Sequence, residues 1–106
     1  MTVVVEWLKF RVASENRERF IQIDDQIWSA ALSGYDGYLG KAVWFDPNAP
    51  DAVILVIQWA SREQWKSIPT DALEEVEQRF DEAVEFDYEM VESKEFQIRR
   101  FMTTTV

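Results

Sequence analysis

The 106-residue chain has no histidine and no cysteine. Without cysteine, disulfides and thiolate metal sites are excluded. Without histidine there is no Ser-His-Asp triad, no imidazole-ligated haem and no His-rich zinc site. Acid–base work therefore falls to a carboxylate, a lysine, a tyrosine or the substrate itself. Positive charge is also scarce: 11 Lys and Arg face 20 Asp and Glu, a formal net charge of -9. That field repels a nucleic-acid backbone and an anionic membrane surface, so neither is an expected partner. Long apolar runs are missing too. The longest uncharged one, Ala52 to Ile57, is far too short to cross a bilayer. The opening "MTVVVEWLKF" reaches a charge at Glu6 with no basic stretch before it, which does not read as a signal peptide. A cytoplasmic location is the expectation.

What is present suits one folded domain over residues 1–106. Hydrophobic residues make up 47% and aromatics 14%, too much for a disordered segment. No linker or repeat divides the sequence. Residues 2–12 read as a strand rich in Val and aromatics. Val4, Glu6, Leu8, Phe10 and Val12 share one face, and Val3, Val5, Trp7, Lys9 and Arg11 the other. Ser14 suits a helix cap, and Phe20, Ile23, Ile27 and Ala31 recur at helical spacing before Gly34. A second strand is expected over 38–46. The loop "DPNAPD" then leads into a third, "AVILVIQW", which does not alternate and so is buried on both faces. Ser61 with Gln64 predicts a capped short helix, ended by Pro69. Thr70 is expected to cap the next helix, with Leu73, Val76 and Phe80 on its apolar stripe. A last strand is expected over 86–101, with a bulge or exposed stretch at "ESKE".

The order β-α-β-β-α-β is the ferredoxin-like α+β pattern: a four-stranded antiparallel sheet with helices on one face. The first and third strands, the most continuously apolar, take the centre. One helix layer cannot hide both apolar faces of the sheet. The expected remedy is a homodimer, two sheets packed face to face as a dimeric α/β barrel.

The stretch Trp59-Ala60-Ser61-Arg62-Glu63-Gln64-Trp65 resembles the W-x-S-x-E-x-(aromatic) signature of antibiotic-biosynthesis-monooxygenase-like (ABM-like) proteins. More narrowly, "EWLKFRV", "GYLGKAVW" and "DYEMVES" look like a small uncharacterised cyanobacterial group of that family. The resemblance implies a pocket between helices and sheet, and a cofactor-independent monooxygenase acting on a small aromatic or phenolic compound. The alternative is a non-catalytic small-ligand-binding or structural homodimeric module. In haem-degrading relatives an Asn on the first strand, a Trp ending the third and a later His carry the function. Glu6 falls at the Asn position, Trp59 matches the Trp, and the His has no counterpart. A further His found after the signature in many relatives would fall near Ile68.

Glu6 is the sharpest oddity, a carboxylate on an otherwise apolar strand face. It is either a pocket base or the partner of a cation such as Arg11, Arg62 or Lys66, or it lies at a solvated strand end. Trp59 is either a pocket wall or core packing at the strand–helix junction. Trp28, Trp65 and Tyr38 are further pocket candidates. Asp24 and Asp25 read as a solvated helix face, as do the acids of "DALEEVEQRFDEAVEFD", which spread around a helix rather than converge on a cation. No metal and no cofactor is expected.

Overall fold

A computed structural model describes residues 2–100. Strand β1 (Val4–Val12) leads into a 3-10 turn (Ser14–Asn16), helix α1 (Arg17–Asp24), a π-helical segment (Asp25–Ser29) and α2 (Ala30–Leu32), which run on continuously. β2 (Tyr38–Trp44) and β3 (Ala52–Trp59) form a hairpin, followed by α3 (Arg62–Lys66), α4 (Thr70–Ala83) and β4 (Tyr88–Gln97). The connection between β2 and β3 is held by an Asx turn, in which the Asn48 amide donates to Asp46 Oδ1 at 2.8 Å.

Several expected boundaries move. Ser14 opens the 3-10 turn and makes no side-chain cap. Thr70 is the first residue of α4, and the cap position is taken by Pro69, whose fixed φ suits a helix start. Gly34 follows the first helical run without a left-handed cap, since among the described residues only Gly37 and Gly40 have positive φ. The last strand is shorter than 86–101, and Phe101 lies outside the described residues. Ser61 caps α3 as expected, accepting from the Gln64 amide at 3.1 Å.

The sheet order is β2-β3-β1-β4, every neighbour antiparallel, so the two most apolar strands are central. This is the ferredoxin-like α+β fold. The even-numbered face of β1 meets the helices. Val4, Phe10 and Val12 are buried there with Val53, Leu55, Ile57 and Trp59 of β3. The core divides into two clusters. Phe10, Phe20, Leu55, Phe80 and Val84 belong to one, and Val4, Leu32, Ile57, Trp59 and Ile68 to the other. Leu8 and Trp28 pack against both.

Among the described residues the other sheet face carries no helix. Val5, Trp7, Ile54, Val56, Ala42, Trp44 and Phe96 stand there by register. Its centre is better covered than expected: Val56 is buried, and Lys94 lies over the Trp7 ring with its ammonium 5.3 Å from the centroid. The bare residues are at the flanks, where Trp44 and Phe96 are 51% and 48% exposed. The bulge in β4 falls just before "ESKE", at the register shift opposite Lys9/Phe10, and "ESKE" itself is paired but exposed.

Candidate functional site

The two core clusters do not close on each other. Between the helices and the sheet lies a cavity of about 1040 Å³. Small-molecule sites commonly hold roughly 300–1,000 Å³. Its floor is strand: Glu6, Leu8 and Phe10 from β1, Lys41 from β2, Leu55, Ile57 and Trp59 from β3. Helical residues wall it, including Phe20, Asp24, Trp28, Trp65 and Phe80. Five acids from α4 and the segment after it also line it: Glu74, Glu77, Asp81, Glu85 and Asp87. Tyr88, which donates to Asp81 and packs edge-on against Phe80, sits in the same wall. Burial raises its phenol above the usual tyrosine value, and the Asp81 carboxylate adds to the rise.

Glu6 stands on this floor because β1 alternates. Its register partner on β3 is Ile57, one pair along from Val4 and Trp59. That diagonal brings the Trp59 indole N–H to Glu6 Oε1 at 3.4 Å, a long bond. None of the three cations weighed as a partner for Glu6 bonds to it. Arg62 and Lys66 go instead to Glu95, directly across on β4, and Arg11 goes to Asp51 and Glu89. Glu6 is a half-buried carboxylate in an apolar floor. Burial pushes its pKa above the ordinary carboxylate value. The Trp59 donor, Lys41 and Lys66 oppose the rise without cancelling it, and Glu95 adds to it.

Asp24 overturns an expectation. It is 3% exposed, not a solvated acid, and accepts from Lys41 Nζ at 2.8 Å. Both side chains of this pair are almost wholly buried. Burial raises the Asp24 carboxyl, and the Lys41 ammonium beside it pulls the other way. The pair sits where α1 gives way to the π-helical segment, an uncommon turn that recurs at functional sites. Lys41 is a site residue that sequence reasoning missed. Asp25 remains exposed, and among the described residues no group of three acids converges on a point where a cation would sit.

The structure places the other candidates as follows. Trp59 is fully buried and borders the cavity floor as part of the core packing. Trp28 and Trp65 are half-buried in the wall, and the Lys66 ammonium lies 3.9 Å from the Trp65 ring centroid. Tyr38 is not in the main cavity. It packs against Trp59 with ring centroids 5.6 Å apart and lines a smaller hollow of about 300 Å³ that shares Asp24 and Lys41. Ile68 is in the cavity wall. The arrangement can hold a planar aromatic between tryptophans, move a proton at Glu6 and meet negative charge at Lys41. Among the described residues no helix is long and apolar enough to cross a membrane.

Known structures share this architecture. A Streptomyces coelicolor monooxygenase from ActVA-Orf6, solved with nanaomycin D, matches 98% of this chain and 94% of its own at 11% identity, with a TM-score of 0.75. SnoaB, a cofactor-independent oxygenase from Streptomyces nogalater, matches 97% of each chain at 9% identity and a TM-score of 0.62. A dimeric ferredoxin-like protein from an uncultured marine organism matches 98% of this chain and 95% of its own at 10% identity and a TM-score of 0.61. At such identities the likeness establishes the fold. No curated protein matches the chain. The family model for antibiotic biosynthesis monooxygenases matches residues 3–68, a span that holds Glu6, Asp24, Trp28, Lys41, Trp59 and Trp65. The chain belongs to the antibiotic biosynthesis monooxygenase family.

Proposed function

We propose that the protein is a cofactor-independent monooxygenase acting on a small aromatic or phenolic compound held in the helix–sheet cavity. The observation that carries the reading is Glu6: a carboxylate of raised pKa, free of any cation partner among the described residues, on the floor of a tryptophan-walled cavity. A base with a raised pKa is better matched to a weakly acidic phenol. Trp28 and Trp65 orient the ring plane, and Trp59 holds Glu6 from the packing beneath. Glu6 takes the phenolic proton, and the electron-rich anion attacks oxygen through a ring carbon. The protonated peroxide loses water with the ring hydrogen, leaving a quinone. One oxygen atom enters the ring and the other leaves as water. The gain comes from orientation and proton transfer.

The second reading, a binding module without turnover, is favoured by Ile68. By spacing it lies near the position where the family resemblance implies a histidine, and its side chain transfers no proton. One experiment separates the two: oxygen uptake in the presence of naphthols. The monooxygenase reading expects one oxygen consumed per quinone formed. It expects a fall of roughly 100-fold or more in Glu6→Gln, the scale of a lost general base. Turnover unchanged in that variant rejects Glu6 as the base, and binding without uptake in the wild type favours the module.

We also propose that two copies pair through the sheet face that carries no helix, around Trp7, Trp44 and Phe96. An apolar surface of that kind is rarely left to water.

A further inference from the structure

The chemistry above leaves one charge unused. Lys41 Nζ is buried and gives one hydrogen bond, to Asp24, among the described residues. An ammonium has three donors. Two therefore remain on a group that lines both the main cavity and the smaller hollow beside it. Asp24 fixes the ammonium and offsets its charge.

Lys41 and Glu6 share a sheet face with Ile57 between them, since Lys41 pairs with Ile57 and Ile57 with Glu6. Two strand spacings put their backbones about 10 Å apart. A flat conjugated molecule spanning the cavity between them would have one end toward each.

We propose that Lys41 determines specificity at this site: the ligand is a conjugated phenol whose hydroxyl meets Glu6 and whose conjugated carbonyl or nitro oxygen, at the far end of the ring system, meets the Lys41 ammonium. The inference rests on the reading of the cavity as a site for phenols. The step it concerns is the proton transfer to Glu6, which involves no oxidation. The phenolic O–H breaks, an O–H forms on Glu6, and the released electron pair delocalises through the ring onto the far oxygen. There Lys41 donates to it. The acids of α4 in the cavity wall disfavour a preformed anion. The ligand enters neutral and ionises inside.

The probe is 4-nitrophenol, whose phenolate absorbs at longer wavelength than the neutral form and whose nitro oxygens take up the charge. It is titrated anaerobically into the protein below the pH at which the free dye ionises. The wild type is expected to bind it with a phenolate band, at least tenfold tighter than 3-nitrophenol, in which the nitro group cannot receive the charge. Lys41→Met combined with Asp24→Asn removes the pair without stranding a buried carboxylate. That variant is expected to lose the band and bind at least tenfold more weakly. Asp24→Asn alone keeps the ammonium and should keep the band. The proposal is overturned if the wild type fails to bind the dye or binds it neutral. It is also overturned if the two nitrophenols bind alike, if the paired variant keeps the band, or if Asp24→Asn loses it. Oxygen uptake is read separately: no uptake with the band intact counts against the oxygenase reading alone, and uptake without the band counts against Lys41 alone.

Discussion

Glu6 holds a carboxyl raised by burial in a floor of aliphatic and aromatic side chains. A carboxyl raised in the fold binds its proton more tightly folded than unfolded. Its favourable contribution is full below the ordinary value of 4.5 and is lost as pH rises through the raised folded value. Above that value the ionised group is a cost. Glu6→Gln removes the cost and keeps an acceptor for Trp59. The variant should be more stable than the wild type at neutral pH. The advantage should vanish as the pH falls to the ordinary carboxylate value. Urea unfolding midpoints across that range are the measurement, and a pH-independent difference would contradict the assignment. Glu6 was visible in the sequence because it breaks an apolar strand face, and Trp59 because it opens a signature. Asp24 was less visible, although it lies one turn from Phe20 on the stripe that Ile23 and Ile27 continue. Lys41 was hidden by geometry. Simple alternation puts Tyr38 and Lys41 on opposite faces. A register shift between Tyr38 and Gly40 brings both onto the helix side.

The elements were legible where one pattern dominates. β3 runs Ala52–Trp59, as its unbroken apolar stretch implied, because a strand buried on both faces tolerates few other residues. The π-helical segment was not legible. Its wider turn departs from the i→i−4 spacing that sequence periodicity reads. The loop entering β2 depends on one glycine. Gly37 has φ +90°, and a Cβ there would lie 2.6 Å from Gln64 Oε1 and 2.7 Å from Gln64 Cβ. Gln64 cannot easily give way, since its amide and Oε1 both bond to Ser61 Oγ at the cap of α3. Gly37 also accepts from the Ala60 amide at 2.7 Å, tying the loop to the end of β3 beside Trp59. Gly37→Ala combines backbone strain with this contact and should destabilise the protein by about 1–3 kcal/mol, read from chemical denaturation. A neutral substitution would mean that the loop and α3 can part without cost.

At the scale of the whole molecule, the sheet has two faces with two uses. The helix-facing side carries the cavity with Glu6, Trp59 and the Asp24–Lys41 pair. The opposite side carries Trp7, half-buried, between the more exposed Trp44 and Phe96. Another copy of the chain on that second face would bury the flanking aromatics and stiffen the floor of the cavity from behind. Sedimentation equilibrium at micromolar concentration tests this division of the sheet most directly. The wild type is expected to sediment as a dimer and Trp7→Glu as a folded, dissociated chain. A wild type that sediments as a single chain, or a Trp7→Glu variant that stays paired, would contradict it.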